Sequence, residues 1–159
     1  MRKQGLGFLL LGAGTVFFAA ACSDGGSACA KAVEKRDYQK AFPLCLPLAK
    51  QGDLEAQNDV GLMYEQGKGV AKDHMRALDW YRRSAEGGYS VAQNNLGSMY
   101  EKGQGARKDN VQAGKWYIIA AAQGNIEGFK KLALLRDKVS QSQLEESQKL
   151  AQSWMQKHQ

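Results

Sequence analysis

Histidine and proline occur twice each, and cysteine three times, in 159 residues. His74 and His158 leave little room for a zinc site or a histidine-activated nucleophile, and three cysteines cannot by themselves build a zinc ribbon or an iron–sulfur cluster. No basic run with interleaved aromatics is present, and 22 Lys and Arg against 16 Asp and Glu give a formal charge of only +6. Nucleic acid is therefore not an expected partner. At 43% hydrophobic and 24% charged residues the composition is ordinary globular material. The length allows one compact domain or one short repeat array. Glycine is the residue in excess, with 18 copies, and its placement organises the chain.

Arg2 and Lys3 precede an uncharged run from Gln4 to Ser23, and the next charge is Asp24. A short positive head, an apolar stretch that includes Leu9, Leu10, Val16 and Phe17, and small residues before a break read as a secretory signal. An uncleaved membrane anchor is the alternative, since the run approaches the ~20 residues that span a bilayer. Gly5, Gly7, Gly12 and Gly14 dilute it. The break Ala19-Ala20-Ala21-Cys22-Ser23 resembles a bacterial lipoprotein box, with Ala19 where leucine is usual. That resemblance implies a signal peptide over 1–21, a lipid on Cys22, a short tether over 22–28, and a periplasmic, lipid-anchored protein. Ser23 resembles the second residue of lipoproteins sent to the outer membrane. Acylation of Cys22 would leave Cys29 and Cys45 as an even pair in an oxidising compartment.

Laid against itself, the chain repeats every 36 residues. Gly52, Gly88 and Gly124 fall one period apart, Ala56-Gln57-Asn58 returns as Ala92-Gln93-Asn94, and Met63-Tyr64-Glu65 returns as Met99-Tyr100-Glu101. Gly67 and Gly69 become Gly103 and Gly105, and Asp73, Ala77, Trp80-Tyr81 and Ala85 become Asp109, Ala113, Trp116-Tyr117 and Ala121. In all, 16 of 36 positions are identical without a gap. A period of this length means stacked supersecondary units. Each unit reads as two helices. The first spans roughly Leu54 to Gln66 and stops at Gly67. The second starts behind Asp73 as N-cap and ends at Gly87-Gly88. Gly61, Gly97, Ala77 and Ala113 are expected to let the paired helices approach closely, with Trp80 and Trp116 filling the space between successive pairs.

The pattern Ala-Gln-x3-Gly-x-Met-Tyr-Glu-x-Gly-x-Gly, then Asp-x3-Ala-x2-Trp-Tyr-x3-Ala-x2-Gly, resembles the Sel-1-like repeat family. The resemblance implies an all-α, α/α solenoid related to tetratricopeptide repeats. Residues 52–87 and 88–123 are full copies, the second departing at Ala106 and Gly114. Residues 29–51 read as a partial first unit, whose second helix Pro43 and Pro47 would bend or shift. Folding back around Arg36–Asp37 puts Cys29 beside Cys45, where a disulfide would close a loop of ~15 residues and contribute about 3 kcal/mol. Two free buried thiols are the alternative. Residues 124–159 read as a further first helix followed by a capping helix that starts with a Ser142–Glu145 capping box. About eight helices result.

Nothing in the pattern calls for catalysis, a cofactor or a metal. The motifs Gly67-Lys68-Gly69 and Gly103-Gln104-Gly105 read as repeat turns and not as phosphate loops, because no strand precedes them. Glu65 and Glu101 recur in phase as repeat positions. His74 and Ser84 lack the acid and oxyanion hole of a triad. The positions that differ between units are more telling. Glu55, Asp59, Leu62 and Gln66 correspond to Val91, Asn95, Ser98 and Lys102, and the stripe continues with Glu127, Lys131, Leu134 and Lys138. Spacings of 4, 3 and 4 put each set on one helix face. Packing positions must repeat, so this face is expected to look outward, either as plain solvated surface or as a binding face for a protein partner. The apolar members Leu62, Val91 and Leu134 favour contact.

The resemblance implies that first helices line the concave surface and that the protein is a non-catalytic adaptor or scaffold with no small-molecule substrate. It also implies two narrower alternatives. One is an immunity protein neutralising a toxin delivered by type VI secretion, such as a phospholipase. The other is a penicillin-binding or β-lactamase-like protein, as in cysteine-rich relatives from Helicobacter. Those relatives carry a cysteine pair in every unit, and 52–87 and 88–123 have none.

Overall fold

The computed structural model describes residues 23–158, which form eight α-helices and no strand. α1 (Ser23–Glu34) pairs with α2 (Tyr38–Lys50), α3 (Leu54–Gln66) with α4 (His74–Glu86), and α5 (Ser90–Lys102) with α6 (Asn110–Ala122). α7 (Ile126–Arg136) and α8 (Gln141–Lys157) follow. Each helix through α7 packs chiefly on its sequence neighbours, which makes an α/α solenoid. No helix among the described residues is long and apolar enough to cross a membrane. Cys22 and segment 1–21 lie outside the described residues.

The helix limits follow from local chemistry. Asp53 accepts from the Ala56 amide at 2.8 Å, and Asp73 accepts from the Met75 and Arg76 amides at 3.0 Å. These bonds satisfy donors that the first turn of a helix leaves open. Gly67 and Gly103 stop α3 and α5 in the left-handed region at φ +69°. Gly69 and Gly105 have a different task. A Cβ at either would collide with the carbonyl of Tyr38 or His74, the first residue of the second helix one unit earlier. The turn of one unit thus rests directly on the backbone of its predecessor.

In the α3–α4 and α5–α6 pairs a tyrosine lies on the glycine where the helices approach, beside the fully buried Ala77 and Ala113. The Tyr81 ring lies on Gly61, where a Cβ would come within 2.8 Å of it, and the Tyr117 ring lies on Gly97 at 2.6 Å. Both rings are fully buried. Their hydroxyls donate to Glu65 Oε2 and Glu101 Oε2, each at 2.8 Å. Burial and the adjacent carboxylate push both phenols far above their ordinary pKa, so they remain donors. Trp116 is buried beneath Trp154 of α8, with ring centres 5.8 Å apart, whereas Trp80 is only half-buried beside Arg83.

Four features depart from the sequence reading. The helix α1 begins at Ser23, so 23–28 are helical and not a tether; extending a helix already anchored by buried Cys29 and Ala32 costs far less than starting one. Pro43 and Pro47 sit inside an unbroken α2. Both are exposed, so the carbonyls that lose an amide partner stand on the solvent side. The capping box of α8 uses Ser140 and Gln143, two residues before the expected pair, which leaves Gln141 free to bond Glu145 at 2.9 Å. Finally, α8 packs on α6 and not as the mate of α7. Gly114 of α6 opens a notch that receives Ser147, whose hydroxyl lies 3.0 Å from the Val111 carbonyl oxygen. The outer side of α7 stays uncovered, leaving Ile126 and Phe129 72% and 65% exposed.

Cys29 and Cys45 are joined as a disulfide between α1 and α2, with Cα atoms 5.0 Å apart and 16 positions separating them in sequence. Two stability predictions follow from this packing. Replacing both cysteines by alanine should lower stability by about 3 kcal/mol in oxidising buffer, read as a fall in Tm that reductant reproduces in the parent chain. Gly97→Ala should cost about 1–3 kcal/mol through overpacking against the Tyr117 ring, whereas Tyr117→Phe, which loses only the hydroxyl bond, should cost about 1 kcal/mol. Urea unfolding of the two variants would separate these effects.

Candidate protein-binding face

The first helices draw together along one side of the array. α1 packs on α3 and α5 on α7, and Asn95 Nδ2 of α5 donates to Asn58 Oδ1 of α3 at 2.9 Å.

On that side stand the residues that differ between units. Glu55, Gln66, Lys102, Glu127 and Lys138 are exposed, and Asp59, Leu62, Asn95 and Lys131 are partly covered. Val91 is 40% and Leu134 61% exposed, both large values for apolar side chains. Ser98 is the exception: at 8% exposure it is buried next to the Tyr117 hydroxyl, so it supports the hairpin and not the surface. It lies at the margin of its stripe, where α6 reaches round.

The face is electrically divided. At its α3 end, burial pushes the Asp59 carboxyl up to about 6, with Glu55 adding repulsion, the Asn58 amide opposing and Asp53 contributing further. Burial also raises the neighbouring Tyr89 phenol, reinforced by Glu55, Asp59 and Asp53. Three carboxylates therefore gather around one tyrosine. At the other end, burial lowers the Lys131 ammonium, and Lys102 adds to this, against the pull of Glu127, Glu101 and Glu65. Burial alone would weaken the Glu101 carboxylate, but Lys138 at 2.9 Å and the Tyr117 hydroxyl outweigh it and hold its pKa below the ordinary value.

Asp53, Asn58, Tyr89 and Asn94 belong to this face or its seams but are not singled out by the stripe. The two asparagines repeat between units and so read as packing positions; Tyr89 stands in the register of Asp53, a difference visible in the sequence but outside the helical stripe. Asp73 and Asp109 cap helices, and Glu65 and Glu101 accept tyrosine hydroxyls. The Ser84 hydroxyl donates to the Leu54 carbonyl at 2.6 Å. These polar groups are consumed by the scaffold. Among the described residues no cluster of three His, Cys, Asp or Glu is placed to hold a metal.

Stacked helix pairs of this length, with a glycine-seated tyrosine in α3–α4 and α5–α6 and a left-handed glycine turn from each of these against the preceding pair, define an α/α repeat solenoid. The Sel1 repeat matches residues 20–53, 54–89 and 90–125, and the chain belongs to the Sel1 repeat family. It is similar to a protective antigen of uropathogenic Escherichia coli strains that displays an SLR fold, at 30% identity and a TM-score of 0.79 over 83% of this chain. It is also similar to a Sel1 repeat protein from Oxalobacter formigenes, at 35% identity and a TM-score of 0.68 over 71% of this chain. The matches span only 29% and 45% of those two chains. Sel1 repeat proteins are typically non-catalytic protein-interaction scaffolds.

The electrostatics of the α3 end set a pH test. Ionising Asp59 costs more in the folded chain than in the unfolded one, so its contribution to stability falls as pH rises from about 3.8 through about 6. Asp59→Asn, which copies the residue at Asn95, should therefore raise stability by about 1 kcal/mol at pH 7.5, after discounting for partial solvent screening, and give no gain at pH 3. Thermal unfolding of both chains across that range checks the sign.

Proposed function

We propose that this protein is a lipid-anchored periplasmic scaffold that captures a partner protein on its first-helix face. The observation that carries this reading is the contrast along α3, α5 and α7. Positions that stack are nearly the same in each unit, while one outward face changes charge from helix to helix and exposes Val91 and Leu134. A face built this way uses apolar anchors inside a charged surround, which gives a partner both burial and orientation. Glu55, Asp59, Leu62, Gln66, Val91, Asn95, Lys102, Glu127, Lys131 and Leu134 are its contact residues. The periplasmic address and the lipid on Cys22 rest on the Ala19–Ser23 pattern, and the Cys29–Cys45 disulfide suits an oxidising compartment.

Two measurements test this. Cys22→Ala should release the protein from the membrane fraction, and unchanged membrane association would refute the anchor. In the native host, chemical cross-linking should capture one dominant partner on the parent chain and lose it when Asp59, Leu62, Asn95 and Lys102 are substituted together, with helicity and Tm near those of the parent. A partner retained by that variant would place binding elsewhere on the molecule. If the captured protein is a toxic enzyme, the scaffold acts as an immunity protein.

A further inference from the structure

One side of α7 has no mate. In α3 and α5 the same side receives the second helix of the pair on Gly61 and Gly97, and these glycines are buried together with Gln57 and Gln93 one turn earlier. One period on, the same register holds Ala133 and Phe129, and both are exposed, Phe129 at 65%. Ile126, one turn before Phe129, is 72% exposed. The cause is α8, which lies along α6 and scarcely touches α7. A repeat unit cannot bury its apolar side alone, and the end of a solenoid normally carries a polar cap. Among the described residues no helix supplies one for α7, whose outward side presents an isoleucine, a phenylalanine and an alanine instead.

The uncovered side specifies its occupant by orientation and by shape. Paired helices in this array run antiparallel: Leu54 at the start of α3 meets Ser84 near the end of α4, and Tyr64 near the end of α3 accepts from the Asp73 amide just ahead of α4. A two-fold axis perpendicular to a helix sets that helix antiparallel to its copy, so α7 of a second chain arrives in the orientation that the missing mate would have. Phe129 and Ala133 stand four residues apart and so share one face. With the axis crossing α7 level with Lys131, midway between them, Phe129 of each copy meets Ala133 of the other, and Ile126 meets the alkyl stem of Arg136. Packing of a ring on a small residue, as Tyr81 packs on Gly61, is then made twice by one symmetry operation. Phenylalanine brings no hydroxyl, so this version needs no carboxylate acceptor. No tight turn fixes the spacing between two chains, so they can stand far enough apart to admit the Ala133 methyl. Lys130 comes close to its copy at the axis, and Glu127, 4.0 Å away on its own chain, offsets that charge.

We propose that α7 is a self-association surface: two copies of this chain pair antiparallel through α7 about a two-fold axis, each Phe129 ring seated on Ala133 of the other. Built on one face of an 11-residue helix, the contact is smaller than the ~800 Å² per partner of a standard complex. The pair is therefore a weak, concentration-dependent dimer and not a permanent one. The proposal goes beyond the scaffold reading and does not rest on it, because Phe129 and Ala133 are not members of the Glu127, Lys131 and Leu134 stripe.

The test places a thiol at the axis. In the native host, the full chain carrying Lys130→Cys should form a disulfide-linked dimer on mild oxidation, seen on a non-reducing gel at twice the mass of the chain and lost on reduction. The parent chain, and Lys149→Cys with its thiol exposed on α8, should give at most a trace of that band, which controls for Cys22 and for random exchange. Adding Phe129→Ala or Ala133→Glu to Lys130→Cys should cut the dimer about tenfold. Both residues are exposed in a single copy, so Tm in dilute solution should stay at the parent value. Should either variant lose stability, the other carries the comparison. No dimer from Lys130→Cys, equal dimers from Lys130→Cys and Lys149→Cys, or a dimer that survives both added substitutions would each overturn the proposal. A band joining Lys130→Cys to a different protein would also overturn it, by showing that another chain and not a second copy covers α7.

Discussion

A tyrosine ring laid on a glycine and tied by its hydroxyl to a glutamate holds the α3–α4 and α5–α6 helix pairs together. The three parts are inseparable. Gly61 and Gly97 must lack a side chain for Tyr81 and Tyr117 to lie flat on the opposing helix, and a phenol buried that deeply needs an acceptor, which Glu65 and Glu101 supply. The crossing of the two helices is thereby fixed, and their remaining faces are fixed with it. The last two helices show the same rule by lacking its parts. One period beyond Gly97, Tyr117 and Glu101 stand Ala133, Ser153 and Asp137. With no ring to seat, α8 is not held to α7 and lies instead along α6, where Gly114 admits Ser147 and Trp154 meets Trp116.

Stacking between units depends on a second set of small and polar residues. Gly69 and Gly105 bring a turn onto the backbone of the preceding second helix. Gln57 and Gln93 reach back across the turn to the Ala49 and Ala85 carbonyls at 3.0 and 3.2 Å, closing helix C-termini that would otherwise hold unpaired acceptors. These bonds are local in sequence, eight residues apart, so every unit carries its own means of attachment. Among the described residues only the Asn58–Asn95 side-chain bond reaches from one first helix to the next, and it is also the bond that fails to recur. The irregularity falls where the packing residues stop repeating, between a regular unit and the incomplete one after it.

The period, the glycine stops and the aspartate caps are legible in the sequence because each acts within a few residues and recurs, so α3 through α6 can be drawn from the letters. What the sequence hides is the choice among contacts of similar type. Gly61 announces a close approach but not whether Ala77 or Tyr81 makes it. Gly114 looks like a departure from the pattern until Ser147 is found against it, 33 positions away. Pro43 and Pro47 argue for a bend, yet on an exposed face their missing amides cost little. Ser98 shares its stripe with Leu62 and Lys102, and only the reach of Tyr117 from α6 separates a buried support from a surface residue. Three-dimensional neighbours decide these cases, and they are not periodic.

The division of charge on the first-helix face is a consequence of the same economy. Residues committed to the tyrosine locks and the turns cannot vary, so any chemical individuality must be placed on the one stripe that packing leaves free. Along that stripe the register of Asp59 becomes Asn95 and then Lys131, moving from a carboxylate through a neutral amide to an ammonium over three helices. Each of the three is partly covered, so its charge is felt in a poorly solvated setting and counts for more than an exposed one would. For the partner proposed above, a charged segment lying across the helices would favour one orientation, because reversing it sets like charges against each other at both ends. A repeat array built from nearly identical packing units therefore acquires direction from a single register position.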